Sequence, residues 1–147
     1  MKIKTTSIFI VVMVFLSGCA ASGSASIKAV PAFQVAAIPE DTAAVYFYRP
    51  PAFASGGVGL RIADNGKEIV RLGNGKYFRY LVAPGHHKFQ TKSGAIGIDQ
   101  PVEFDLVAGE TYFVRSGSRQ GFWEATVYLG RVYPEEALKE LPSCCKP

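Results

Sequence analysis

Residues 59–82 decide the fold and read GLRIADNGKEIVRLGNGKYFRYLV. Apolar and polar residues alternate on both sides of Asn65-Gly66, as they do in strands that bury one face. An Asn-Gly pair between two alternating segments is the strongest short-range signal for a β-hairpin. A second pair, Asn74-Gly75, is followed by another strand pattern. The stretch therefore predicts consecutive strands joined by two tight Asn-Gly hairpin turns.

The same alternation recurs along the rest of the chain. Its cleanest instance is VEFDL at 102–106, where one face is wholly apolar and the other wholly acidic. No segment between strands is long and periodic enough for a crossover helix. The pattern favours an all-β fold, an antiparallel β-sandwich of about seven to eight short strands, with a small barrel as the alternative. We predict the strands at residues 43–49, 59–63, 68–72, 77–82, 86–92, 102–106, 111–115 and 125–132.

A short C-terminal helix is predicted after the last strand. Pro134 suits the first helical position, and Glu135 and Glu136 suit the positive end of the helix dipole. The helix should run to Leu141 and end at Pro142, because an interior proline removes a backbone donor.

Composition limits the class of protein. The chain has 147 residues, of which 48% are hydrophobic and 19% charged, with 15 Gly, 9 Pro and 3 Cys. These values fit one globular domain and exclude a disordered, collagen-like or disulfide-built chain. The net charge of +4 comes from bases scattered singly between apolar residues, so no nucleic-acid partner is expected.

The N-terminus carries a targeting signal. Lys2 and Lys4 precede nine apolar residues at 8–16, too few to span a bilayer. Residues 16–19, LSGC, then resemble the lipobox of bacterial lipoproteins. The resemblance implies a signal peptide over 1–18, cleavage before Cys19, and acyl chains on Cys19 that attach the protein to the membrane. An ordinary signal peptide with an unmodified Cys19 is the alternative.

Two further segments flank the predicted domain of residues 43–141. Residues 19–42 contain the acylated cysteine and a low-complexity stretch that we interpret as a flexible tether, with an added strand near 33–38 as the alternative. Residues 142–147 form a tail with adjacent Cys144 and Cys145, for which a vicinal bridge, bridges to another chain and free thiols all stay open. Ala20, after the predicted acylation site, implies through the lipoprotein resemblance sorting to the outer membrane, with the domain facing the periplasm.

Four stretches in order resemble a bacterial lipoprotein family known as domain of unknown function 2846. The resemblance implies a β-sandwich and a cell-envelope location, and it carries no established activity. The later part also resembles PEGA-type surface modules. The stretches are AVYFYRP at 44–50, IADNGK at 62–67 with LGNGKYF at 72–78, VAPGHH at 82–87 and LVAGETYFV at 106–114.

The chain offers no catalytic constellation. His86 and His87 are neighbours on a predicted strand, so their side chains should point to opposite faces and not meet one metal ion. We interpret both as surface histidines beside a turn. No nucleophile and base, carboxylate pair or closed set of metal ligands can be nominated. We therefore predict no enzyme, no cofactor and no metal.

Ligand-binding candidates are aromatic or basic. Tyr46 and Tyr48 share one face of a strand and could form an exposed platform, unless the tether or the helix covers them. Arg115 and Arg119 flank a predicted loop and could meet an anionic group. The predicted function is non-enzymatic binding or scaffolding of an envelope protein or glycan, with a glycan- or anionic surface-polymer-binding module as the alternative.

Overall fold

The computed structural model describes residues 33–52, 57, 59–92, 101–120 and 125–147. Within them it forms eight strands in two four-stranded sheets, followed by the helix α1 (Pro134–Cys144). The predicted β-sandwich with a C-terminal helix is confirmed. The predicted signal peptide and Cys19 lie outside the described residues. The strands are β1 (Ala43–Arg49), β2 (Leu60–Asp64), β3 (Lys67–Leu72), β4 (Lys76–Val82), β5 (Gly85–Lys92), β6 (Val102–Leu106), β7 (Thr111–Gln120) and β8 (Ala125–Val132).

The two sheets have different surroundings. The inner sheet has the strand order β4-β1-β7-β8, and the outer sheet has the order β3-β2-β5-β6. Alternate apolar residues of both sheets fill the space between them, including Phe47, Ile62, Phe89 and Val114. Because inward-facing apolar residues alternate with outward-facing polar ones along β6 and much of β2, this core holds the sheets face to face.

A second apolar cluster covers the other face of the inner sheet. Tyr46, Tyr48 and Phe113 project from the sheet and pack against Ala137 and Leu141 of the helix. The inner sheet is therefore buried on both sides, which makes the molecule three layers deep.

Residues 33–38 complete this second cluster. Phe33 contacts the rings of Tyr46 and Tyr77 edge-on, with centroids 5.3 Å apart in each case. The guanidinium of Arg79 donates to the carbonyls of Ala36 and Ala37. The end of the predicted tether is thus packed on the domain, as the added-strand alternative suggested, but without strand pairing.

One strand pair departs from the predicted antiparallel pattern. β1 pairs antiparallel with β4 and parallel with β7, whereas the remaining described pairs are antiparallel. The chain visits the outer sheet between β1 and β7, and that long connection permits the parallel return.

The two Asn-Gly pairs have different roles. Asn65 and Gly66 have φ of 46° and 84°, as a type I′ turn requires, and they join β2 to β3 as a hairpin. Asn74-Gly75 instead carries the chain from the outer to the inner sheet, so the second predicted hairpin is wrong. The Asn74 amide accepts from the Ala52 N–H at 2.8 Å and donates to the Ala52 carbonyl at 3.1 Å, which fixes this crossing.

Two predicted boundaries are corrected. The strand predicted to stop at Arg115 continues to Gln120, because β8 pairs along its length and the Tyr128 ring covers the bare backbone of Gly117. The helix continues past Pro142 to Cys144, because this proline removes a single donor and the Cys145 N–H still bonds the Leu141 carbonyl at 3.2 Å.

The C-terminal tail joins the fold. Cys144 and Cys145 form a vicinal disulfide, the first of the three outcomes left open by the sequence. Lys146 then accepts from the Tyr77 N–H at 2.8 Å and donates to the Gly75 carbonyl at 3.0 Å. The tail therefore pairs with the edge of β4.

Replacing Gly66 tests the hairpin turn. An added Cβ would meet nothing within 4 Å, so the cost of Gly66→Ala should come from the positive φ alone, about 1 kcal/mol or more. Gly130→Ala is the matched control, since its Cβ also meets nothing and its φ is not positive. Urea unfolding should show a loss for Gly66→Ala only. Equal midpoints for the two variants would contradict a type I′ turn.

Candidate functional site

The aromatic ligand candidates are interior residues. Tyr46 is 2% exposed and Tyr48 is 0% exposed, so neither ring offers a platform to a ligand. The alternative, in which the N-terminal segment and the helix cover this face, describes the structure. The Ala36 N–H donates to the Tyr46 hydroxyl at 3.1 Å, and the Tyr48 hydroxyl donates to Oε2 of Glu140 at 2.8 Å. Burial, and then the Glu140 carboxylate, raise the pKa of Tyr48.

Arg115 fastens the helix to the inner sheet. Its Nε donates to Oε2 of Glu140 at 3.0 Å, and its Nη1 donates to the Tyr128 hydroxyl at 3.1 Å. Burial lowers the pKa of Arg115, but the hydrogen bond and charge of Glu140 outweigh that effect and raise it. Its fork therefore holds two partners within the chain, and the predicted anion-binding role of Arg115 stays a prediction. The side chain of Arg119 lies outside the described residues.

The two histidines point in opposite directions, as their adjacency predicts. His86 is exposed, and its Nδ1 lies 3.1 Å from Asp105. His87 is 8% exposed and stacks on Phe89, so its assignment to the surface is wrong. The strand alternation that turns His86 to solvent turns His87 into the sandwich.

His87 belongs to a buried polar network. Its Nδ1 lies 2.8 Å from Oδ2 of Asp64, and its Nε2 lies 3.0 Å from the carbonyl oxygen of Ala83. The Tyr80 hydroxyl donates to the same carboxylate at 3.2 Å, and burial, followed by the Asp64 charge, raises the pKa of Tyr80. Both ring nitrogens therefore have partners within the protein, which leaves none to act on a substrate. The described part of the chain also holds no group of three or more potential metal ligands.

A row of basic residues crosses the outward face of the outer sheet. Arg71 of β3 lies opposite Arg61 of β2, and Arg61 lies opposite Lys92 of β5. Paired residues share a face of the sheet, so the two arginines stand side by side on neighbouring strands, which are about 5 Å apart. Both arginines are exposed, and no carboxylate among the described residues lies within 4 Å of either. We call Arg71 and Arg61 the basic row.

Other rungs of the same face are charge-balanced. Lys88 lies opposite Glu103, with Nζ 2.9 Å from Oε1, and the hydrogen bond and charge of Lys88 lower the pKa of Glu103. His86 lies opposite Asp105 in the next rung. Because like charges directly opposite each other are destabilising, the basic row is the anomaly on this face.

Gly59 gives Arg71 its position. An ideal Cβ at Gly59 would lie 2.6 Å from Nε and 2.9 Å from Cγ of Arg71, so the arginine side chain lies directly over the glycine backbone. Sequence reasoning missed the basic row. The signal was present, since Arg61 and Arg71 both alternate with inward apolar residues and so share the outward face.

A cleft of about 370 Å³ is lined by Arg131, Val132 and Tyr133, where β8 ends. The guanidinium of Arg131 lies 4.9 Å from the Phe104 ring centroid and 5.1 Å from that of Tyr112. This contact covers the aromatic edge of the core, as an arginine with a solvated head does.

The fold and these contacts define a small β-sandwich whose inner sheet is covered on both faces. A family model described as "Protein of unknown function (DUF2846)" matches residues 39–131, and the chain belongs to that family. The matched range contains β1 to β7 and nearly all of β8, and it stops before the helix. No curated protein matches the chain. Within the described ranges, no helix has the length and apolar character needed to cross a membrane.

Two Asp–His pairs provide a matched test of the buried network. Asp64→Ala should leave His87 and Tyr80 without their buried acceptor and cost about 3 kcal/mol or more. Asp105→Ala removes the exposed partner of His86 and should leave the unfolding midpoint nearly unchanged. Thermal and urea unfolding of both variants measure the difference. Equal losses would contradict the burial of the Asp64 pair.

Proposed function

We propose that this chain is a lipid-anchored lipoprotein of the bacterial cell envelope, whose β-sandwich binds or scaffolds other envelope components without catalysis. The observation that carries the anchoring is LSGC at 16–19, placed directly after a basic start and nine apolar residues. Acylation of Cys19 with more than one chain would give stable attachment, since a single chain binds only reversibly. Ala20 supports sorting to the outer membrane, with the domain facing the periplasm.

The engagement of the polar side chains supports a role without catalysis. Asp64 is shared by His87 and Tyr80, and Glu140 is shared by Arg115 and Tyr48. General acid–base catalysis needs a titratable group within reach of a substrate proton. In both clusters the polar atoms instead join secondary-structure elements to one another.

The second candidate function is binding of an anionic surface polymer. The basic row favours it, because its two arginines are exposed and lack a carboxylate partner in the described structure. This candidate no longer depends on Arg115, Tyr46 or Tyr48, which are engaged within the domain.

Cys19→Ala tests the anchor. Metabolic labelling with a palmitate analogue should mark the wild-type chain and not the variant, and the variant should leave the membrane fraction or accumulate unprocessed. The control is the double variant Cys144→Ala/Cys145→Ala. It removes the other two cysteines, which form a disulfide, and should retain the label. Label that persists on Cys19→Ala rejects the proposed lipidation.

Crosslinking in intact envelopes tests the binding or scaffolding role. The wild-type chain should yield defined adducts that are lost when Cys19→Ala detaches the domain. Purified protein screened against glycans, peptides and esters should show no turnover. A reproducible turnover that His86→Ala or Glu110→Ala abolishes would replace the non-enzymatic proposal.

A further inference from the structure

We propose that the basic row is a binding site for a linear acidic polysaccharide, laid across β3 and β2 with its anionic groups against Arg71 and Arg61. The inference rests on the second function proposed above and assigns its site and ligand class.

Without a ligand, the basic row makes the fold less stable. Opposed like charges are destabilising, and the neighbouring rungs of the same face pair a base with an acid. An anion placed along the row would remove this repulsion. Guanidinium groups suit that task because their planar fork binds carboxylate or phosphate through two hydrogen bonds.

The register of β2 and β3 brings the two arginines opposite each other. β3 carries an extra residue where the register shifts between Ile62 and Ala63. Counting back from the Asp64–Lys67 pair without that shift would place Val70 opposite Arg61, and the shift places Arg71 there. Gly59 then leaves room for the Arg71 side chain to lie on the sheet. The bulge therefore puts Arg71 opposite Arg61, and the glycine gives its side chain room on the sheet.

The shape of the site favours a linear ligand. The row runs across two adjacent strands, which lie about 5 Å apart. It lies on an open sheet face, whereas small ligands bind in concave pockets. A polymer with one anion per sugar ring can place successive charges along such a line and gain from several weak contacts at once.

The same geometry argues against an anionic membrane as the partner. A membrane plane would meet the whole face and bring Glu68, Glu103 and Asp105 towards the headgroups. These residues are exposed. Glu68 lies opposite Ala63, which is two residues from Arg61 along β2 and on the same face. A polymer lying along the row can avoid them.

Binding of polygalacturonate oligomers tests the site. The full-length chain, purified in mild detergent, should bind the acid form and not its methyl ester, which has the same backbone without the charges. Arg61→Gln and Arg71→Gln should each weaken binding about fivefold, the value of one basic residue at an anionic surface. Each should also lower the slope of log affinity against log salt by about one, through loss of counterion release.

Lys88→Gln is the matched control. Lys88 is a base on the same sheet face with Glu103 as its partner, so its removal should change binding little. Gly59→Ala should weaken binding because the added Cβ displaces the Arg71 side chain, although the variant keeps both arginines and the same net charge. Unchanged unfolding midpoints would show that the arginine variants are folded.

Three outcomes would overturn the proposal: no binding of the acid form, equal loss for Lys88→Gln and Arg61→Gln, or binding through Arg61 and Arg71 to phosphatidylglycerol vesicles but not to polygalacturonate. The anchor is tested separately. Cys19→Ala protein should bind the oligomer like wild type, so a failure of lipidation and a failure of this site give different results.

Discussion

β1 imposes the constraint on which the rest of the structure depends. All seven of its residues are buried, and it is hydrogen-bonded on one edge to β4 and on the other to β7. Val45 and Phe47 face the outer sheet, whereas Tyr46 and Tyr48 face the opposite way. A strand that is apolar on both faces must be covered twice. The outer sheet supplies one cover, and the helix with residues 33–38 supplies the other.

The second cover is specific because the buried tyrosines carry hydroxyl groups. A buried hydroxyl without a hydrogen-bond partner costs free energy. Each tyrosine hydroxyl therefore requires a polar partner in the layer that covers it. The Tyr46 hydroxyl accepts from the Ala36 N–H, which holds the N-terminal segment. The Tyr48 hydroxyl donates to Glu140, which also accepts from Arg115 and so attaches the helix. The features that resemble ligand contacts in the sequence therefore serve to fasten the layers.

Local sequence signals predicted the positions of the strands and of the helix. They did not predict which strands pair, because pairing depends on residues that lie far apart in the sequence. The strand positions, the Asn65-Gly66 turn and the start of the helix follow from neighbouring residues alone. The parallel β1–β7 pair does not, since its partners lie more than sixty residues apart in sequence. Asn74-Gly75 has the same sequence signal as the first turn but connects different sheets, a choice made by the packing of β4 on β1.

The candidate site shows the same division. Alternation alone places Arg61 and Arg71 on the outward face, but the single-residue shift in β3 makes them direct neighbours. The burial of His87 likewise depends on Asp64, which belongs to another strand. Adjacent histidines predict opposite directions without showing which one enters the core.

The layers also determine which surface is open to partners. The inner sheet is covered on both faces, so the outward face of the outer sheet is a broad strand surface that meets solvent. Phe33 lies on the far side of the inner sheet, away from the outer sheet that carries the basic row. Arg61 and Arg71 lie on that outward face, so the strand surface that stays open to a partner is the one that carries the basic row.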